Sequence, residues 1–87
     1  MMQKIKIGFK ISGTKISIQF NAICSITNKK FEGLVISEYS PKNETLEYVS
    51  LEKFIEDITK NKLTVEELAN KVFTEIKETI NLEYLKV

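Results

Sequence analysis

Only one side chain in this sequence is a strong nucleophile near neutral pH, the single cysteine Cys24. Histidine and arginine are both absent. Cys-His dyads, imidazole acid/base catalysis, His metal sites and bidentate guanidinium clamps on phosphate or guanine are therefore excluded. Thiolate, carboxylate and lysine chemistry remain. The second residue of interest is Glu66, placed in what reads as the first turn of a helix, where free amides and the helix dipole favour a negative charge. Each residue also has a plainer reading. Cys24 can be a small buried hydrophobe, and Glu66 an ordinary helix-start acid.

Both positions depend on the elements that carry them. Leu63-Thr64-Val65-Glu66-Glu67-Leu68 is a full helix start. Thr64 is the expected N-cap, Glu67 closes a capping box, and Leu63 with Leu68 forms a hydrophobic staple. Leu68, Val72, Ile76 and Ile80 then recur every four residues, so one apolar face runs to about Asn81, and Glu66 points away from it. Upstream, residues 4–11 alternate strictly between Ile5, Ile7, Phe9, Ile11 and Lys4, Lys6, Gly8, Lys10, which predicts a half-buried strand. Ser12-Gly13 reads as a hairpin turn into a second strand over 15–24, whose apolar face ends on Cys24. A polar turn at 27–30, a third strand over 33–39 and a short extended piece from Thr45 to Val49 follow. Ser50 is the expected N-cap of a first helix with Leu51, Phe54, Ile55 and Ile58 on its core face, and 83–87 reads as a closing strand. The expected architecture is α+β over residues 1–87, one domain, with an antiparallel sheet covered on one face by two helices.

The net charge of +1 hides an uneven distribution. Residues 1–30 hold six lysines and no acid, and the remainder holds seven lysines against 12 acids. That pattern suits a nucleic-acid face on Lys4, Lys6, Lys10 and Lys15, a basic end meeting an acidic end of another subunit, or a solvated sheet edge. No apolar run reaches the length of a membrane span, and a lone cysteine without a disulfide partner fits a reducing cytoplasm.

An ordered set of segments carries a family likeness. It comprises Cys24-Ser-Ile-Thr, Val-Ile-Ser-Glu-Tyr-Ser-Pro at 35–41, Glu47-Tyr-Val-Ser-Leu at 47–51, Glu66-Glu67-Leu68-Ala69, and Asn81-Leu-Glu-Tyr-Leu-Lys-Val. The set resembles the QueF family of the tunnelling fold, most closely its short archaeal QueF-like amidinotransferase branch. The resemblance implies a T-fold subunit, here with an extra N-terminal strand and without the final family strand, assembled as a homo-oligomeric ring that binds a deazapurine between subunits. It implies Cys24 as the nucleophile that captures the nitrile of 7-cyano-7-deazaguanine as a thioimide. It also implies Glu66 as reader of the base edge, with Glu47 and Ser50 in the substrate-binding set. The family's proton-transfer aspartate falls on Phe31, which leaves the adjacent Glu32 as the candidate acid, and the family histidine falls on Val65. Val49 and Glu52 stand where the reductase branch carries lysines for NADPH. The resemblance thus implies no nicotinamide cofactor and points to ammonia addition on tRNA, giving archaeosine, in a cytoplasm. Two other functions stay open: a non-catalytic relative that binds a deazapurine or serves as an assembly subunit, and a small nucleic-acid-binding domain.

Overall fold

The computed structural model describes residues 3–6, 13–42, 44–80 and 82–87. The elements in chain order are β1 (Lys4–Lys6), β2 (Thr14–Ile23), β3 (Lys30–Pro41), β4 (Glu44–Leu46), α1 (Tyr48–Ile58), α2 (Val65–Thr79) and β5 (Leu82–Lys86). They form an α+β fold with two antiparallel sheets. One is three-stranded in the order β2-β3-β5, and the other is a β1–β4 pair.

The β2–β3 hairpin is the spine. Its ladder runs from Thr14↔Tyr39 to Ile23↔Lys30 without interruption. Alternation sends Ile18, Phe20 and Ala22 of β2 and Val35, Ser37 and Tyr39 of β3 inward, while Ser17, Gln19, Asn21, Glu32, Leu34 and Ile36 are exposed. Leu51 and Ile55 of α1 and Leu68, Val72 and Ile76 of α2 close over the inward face. Phe20 and Phe31 meet edge to face, with ring centroids 5.7 Å apart.

The second helix forms as its sequence dictates. Thr64 Oγ1 accepts the Glu67 N–H (3.2 Å) and Glu67 Oε1 accepts the Thr64 N–H (3.0 Å), while Leu63 and Leu68 are both buried. The first helix starts earlier than expected. Its N-cap is Glu47 and not Ser50, because the longer carboxylate reaches the free amides of Val49 (2.7 Å) and Ser50 (3.1 Å). Ser50 lies inside the first turn. Its hydroxyl donates to the Glu47 carbonyl (2.9 Å) and accepts the Gln3 N–H (2.9 Å).

Three expectations about strands are corrected. The third strand is longer at both ends than 33–39, because a tight loop lets the ladder zip down to Lys30. The Asn28 N–H donates to the Cys24 carbonyl (2.9 Å), and the Cys24 N–H donates to the Lys29 carbonyl (2.9 Å). Asn28 supplies the left-handed residue of that loop (φ 59°). The extended piece before α1 is the strand β4, and it pairs with β1: Lys4↔Leu46, Ile5↔Thr45, Lys6↔Glu44. The described part of the first strand therefore does not pair with β2, and Ile5, expected on a buried face, is 47% exposed. The rest of that expected strand and Ser12 of its turn lie outside the described residues. The β1–β4 pair is fastened to the main body by the Tyr39 hydroxyl, hydrogen-bonded to Thr45 Oγ1 (2.8 Å) and accepting the Leu46 N–H (3.4 Å), while Lys4 and the nearly buried Glu44 (3.0 Å) tie β1 to β4.

Candidate functional site

Cys24 is the first residue after β2, and the loop that begins there is tied to the start of α2. The Leu63 N–H donates to the Ile23 carbonyl (3.0 Å), and Lys62 Nζ donates to Asn28 Oδ1 (2.8 Å). These bonds stitch the segment entering α2 to the β2–β3 turn. As a result Cys24 and Glu66, far apart in sequence, line one cleft of about 380 Å³ with Thr27, Lys29, Lys30, Phe31 and Thr64 among its other walls. That volume is within the range of small-molecule sites, about 300–1,000 Å³. Cys24 is half-buried and its thiol is free.

The loop prepares the sulfur for ionisation. Hydrogen bonding from the Thr27 backbone amide, then from the Thr27 hydroxyl and the Ile26 amide, holds the Cys24 thiol below its ordinary value of 9.0. Partial burial and the nearby Glu66 carboxylate push the other way and are outweighed. At the start of α2, the Thr64 amide and hydroxyl hold the Glu67 carboxyl below its ordinary value of 4.5, as a capping box requires. Glu66 is exposed, in the first turn of α2 and free of the box. The arrangement offers a thiol lowered from its ordinary value and a carboxyl side chain in one cleft, with two lysines among its walls.

The other expected site residues are elsewhere. Glu32 lines a neighbouring depression of about 550 Å³ together with Asn21, Ile23 and Thr59. Strand alternation explains this placement. Phe31 turns toward the core and walls both depressions, whereas Glu32 is exposed on the outer face opposite Asn21. Glu47 and Ser50 line a third depression with Gln3, Lys53 and Asp57, where their polar groups are engaged in the cap of α1. The structure thus brings together Cys24 and Glu66 and does not bring Glu32, Glu47 or Ser50 to their cleft. Sequence reasoning missed Thr27, whose signal was a hydroxyl residue three positions after the cysteine in a tight polar turn. It also places Lys29 and Lys30 in a polar turn and counts their charge without marking them as cleft residues.

Among the described residues no group of three or more Cys, Asp and Glu side chains is placed to hold a metal ion, and no helix is long and apolar enough to cross a membrane. No family model matches the sequence, and no curated protein matches it either.

Proposed function

We propose that the Cys24–Glu66 cleft binds a deazapurine nitrile and captures it covalently, in the manner of a QueF-like amidinotransferase. The observation that carries this reading is the shared cleft: the only thiol, with hydrogen-bond donors that favour its thiolate, faces a carboxylate at a helix start. Glu66 accepts two N–H bonds from the guanine-like edge of 7-cyano-7-deazaguanine, an edge that would be costly to leave unpaired. The Cys24 thiolate adds to the nitrile carbon. An S–C bond forms, one π pair moves to nitrogen, and that nitrogen takes a proton to give the thioimide. Ammonia then adds to the same carbon, and the thiolate leaves with the S–C pair, yielding the amidine of archaeosine. No electron acceptor or donor enters either step, so no cofactor is required. Lys29 and Lys30, on the rim, are the charged groups available to deliver the proton and to meet a tRNA phosphate. The assembly that accompanies this reading is a homo-oligomeric ring.

The position of Glu32 favours a second reading. With Phe31 in the cleft and Glu32 outside it, the same site suits a relative that binds a deazapurine without turnover, or a subunit kept for assembly. Intact mass spectrometry after incubation with 7-cyano-7-deazaguanine separates the two. A mass gain equal to the ligand, absent in Cys24→Ala, is expected, followed by amidine formation on tRNA when ammonia is supplied. A folded protein that gains no mass at high ligand concentration would exclude the covalent reading.

A further inference from the structure

Beside the Cys24 cleft lies a larger depression, of about 550 Å³, that capture of a nitrile on the cysteine leaves unused. The two share a wall, because Lys30 and Phe31 line both. They meet at one end of the cleft only. Ile23, which precedes Cys24 and pairs with Lys30 across the ladder, belongs to the second depression. Thr64, Val65 and Glu66, at the start of α2, wall the cleft and not this neighbour. The second depression therefore adjoins the cysteine end of the cleft and not the Glu66 end.

Its polar side chains are unengaged. Asn21 and Glu32 are paired across the β2–β3 ladder and both exposed, and Lys30 is two residues from Glu32 on the same face of β3. Among the described residues none of these three side chains has a hydrogen bond or an ion pair. The Thr59 hydroxyl differs, since it donates to the Ile55 and Glu56 carbonyls at the end of α1. The depression thus offers acceptor oxygens from Glu32, an amide that both donates and accepts from Asn21, and a cation from Lys30. Acceptors beside a cation match a sugar hydroxyl beside a phosphate. Acidic side chains hold ribose hydroxyls in nucleotide sites, and lysine meets phosphate as a point charge.

The shape of the base puts a sugar at this end. In a 7-deazaguanine the N–H donors of the guanine-like edge lie on the six-membered ring, while the five-membered ring carries both the nitrile and the glycosidic nitrogen. With Glu66 at the N–H edge and Cys24 at the nitrile, the sugar leaves the cleft at the cysteine end, where the second depression begins. We propose that this depression is a ribose-phosphate subsite and that the ligand of the cleft is a ribonucleotide, with Glu32 accepting its 2′-hydroxyl and Lys30 meeting its phosphate. The assignment rests on the deazapurine reading of the Cys24 cleft. It gives Glu32 a contact with the sugar in place of proton transfer, and a contact to the 2′-hydroxyl tells an RNA nucleotide from a DNA one.

Isothermal titration calorimetry on the full chain carrying Cys24→Ala, in which binding stays reversible, tests the subsite with three ligands. They are 7-cyano-7-deazaguanine, its ribonucleoside 5′-monophosphate and the 2′-deoxy form of that monophosphate. The ribonucleotide is expected to bind roughly tenfold or more tightly than the deoxy form. Adding Glu32→Ala, at an exposed position, should abolish that preference and leave the free base unchanged, and Lys30→Gln should weaken both monophosphates alike. A preference that depends on Glu32 supports the subsite even where the wild-type thiol forms no adduct. Equal affinity for the two monophosphates, with the free base bound, overturns the subsite and leaves the reading of the cleft intact. A ribose preference that survives Glu32→Ala also overturns it. If neither the base nor either monophosphate binds, the reading of the cleft fails and the subsite falls with it.

Discussion

Replacing Glu47 by alanine separates a structural role from a ligand-binding one. Its carboxylate is the only side-chain acceptor for the first-turn amides of Val49 and Ser50 among the described residues. Loss of an N-cap acceptor costs about 0.5–2 kcal/mol in general. The bond to Val49 is exposed, so water replaces much of it, whereas the bond to Ser50 is partly buried and has no such substitute. The cost therefore falls near the middle of that range, about 1 kcal/mol. For a domain of this size each kcal/mol lowers the melting temperature by about 4–8 °C. The drop should be accompanied by loosening of Gln3, whose C=O accepts the Glu47 N–H (3.1 Å) and whose N–H donates to Ser50 Oγ. Thermal unfolding followed by circular dichroism supplies the first number, and titration with 7-cyano-7-deazaguanine supplies the second. A melting temperature unchanged from wild type, with ligand affinity abolished, would refute the cap assignment and restore Glu47 to the substrate-binding set.

Alkylation of Cys24 by iodoacetamide should show a midpoint below that of the urea-unfolded chain. Thr27→Val should move it up and Glu66→Gln should move it down, and equal midpoints in folded and unfolded protein would dismiss the donor cradle. Because the folded thiol has the lower value, the unfolded state binds more protons between that value and 9.0, so stability should rise with pH through this window and lose the contribution as pH falls below it. Ser37→Ala should leave stability unchanged or raise it by up to about 1 kcal/mol in urea denaturation. Ser37 is fully buried, and its hydroxyl has no hydrogen-bond partner among the described residues. A loss greater than about 1 kcal/mol would show that the hydroxyl is bonded. Asn28→Ala should cost about 1–2 kcal/mol, since it forces a Cβ without a local hydrogen-bonding amide into φ 59° and frees Lys62 Nζ. Asn28→Gly should cost less, and the reverse order would dismiss the turn strain.

The legibility of the fold follows the range of the interactions that make each element. The start of α2 is specified within six residues, from Leu63 to Leu68, and forms as its capping box and staple indicate. The start of α1 is specified just as locally, but Glu is an uncommon cap. Tyr48 and Val49 are strand formers, so local preference points to a helix start at Ser50, three residues late. Strand pairing is harder to read because it is a long-range choice. Lys4–Lys6 alternates as well against β2 as against β4, and the pattern within the strand holds nothing that names its partner. The decision rests on contacts of β4 with Tyr39 and of Glu47 with Gln3 that only the assembled chain reveals.

The site obeys the same logic one level up. Cys24 and Glu66 were legible as a strand end and a helix start, yet what brings them to one cleft is a pair of bonds between turns, Leu63 to Ile23 and Lys62 to Asn28. Glu32 stands one position beyond Phe31 in a period-two pattern, and that single step carries its side chain to the face of the sheet opposite the core. Opposing charges also meet in the cleft: Glu66 raises the thiol, but the Thr27 and Ile26 donors that lower it prevail. A ligand that donates N–H bonds to Glu66 would draw its negative charge away from the sulfur. Under the proposed function, a guanine-like edge would do this while it delivers a nitrile, and recognition would then assist the nucleophile. An isolated anion does neither, and a ligand without N–H donors would meet a thiol still opposed by its neighbour. The acid opposes the loop donors that lower the thiol, and a ligand with N–H donors for Glu66 would act on the same side as those donors.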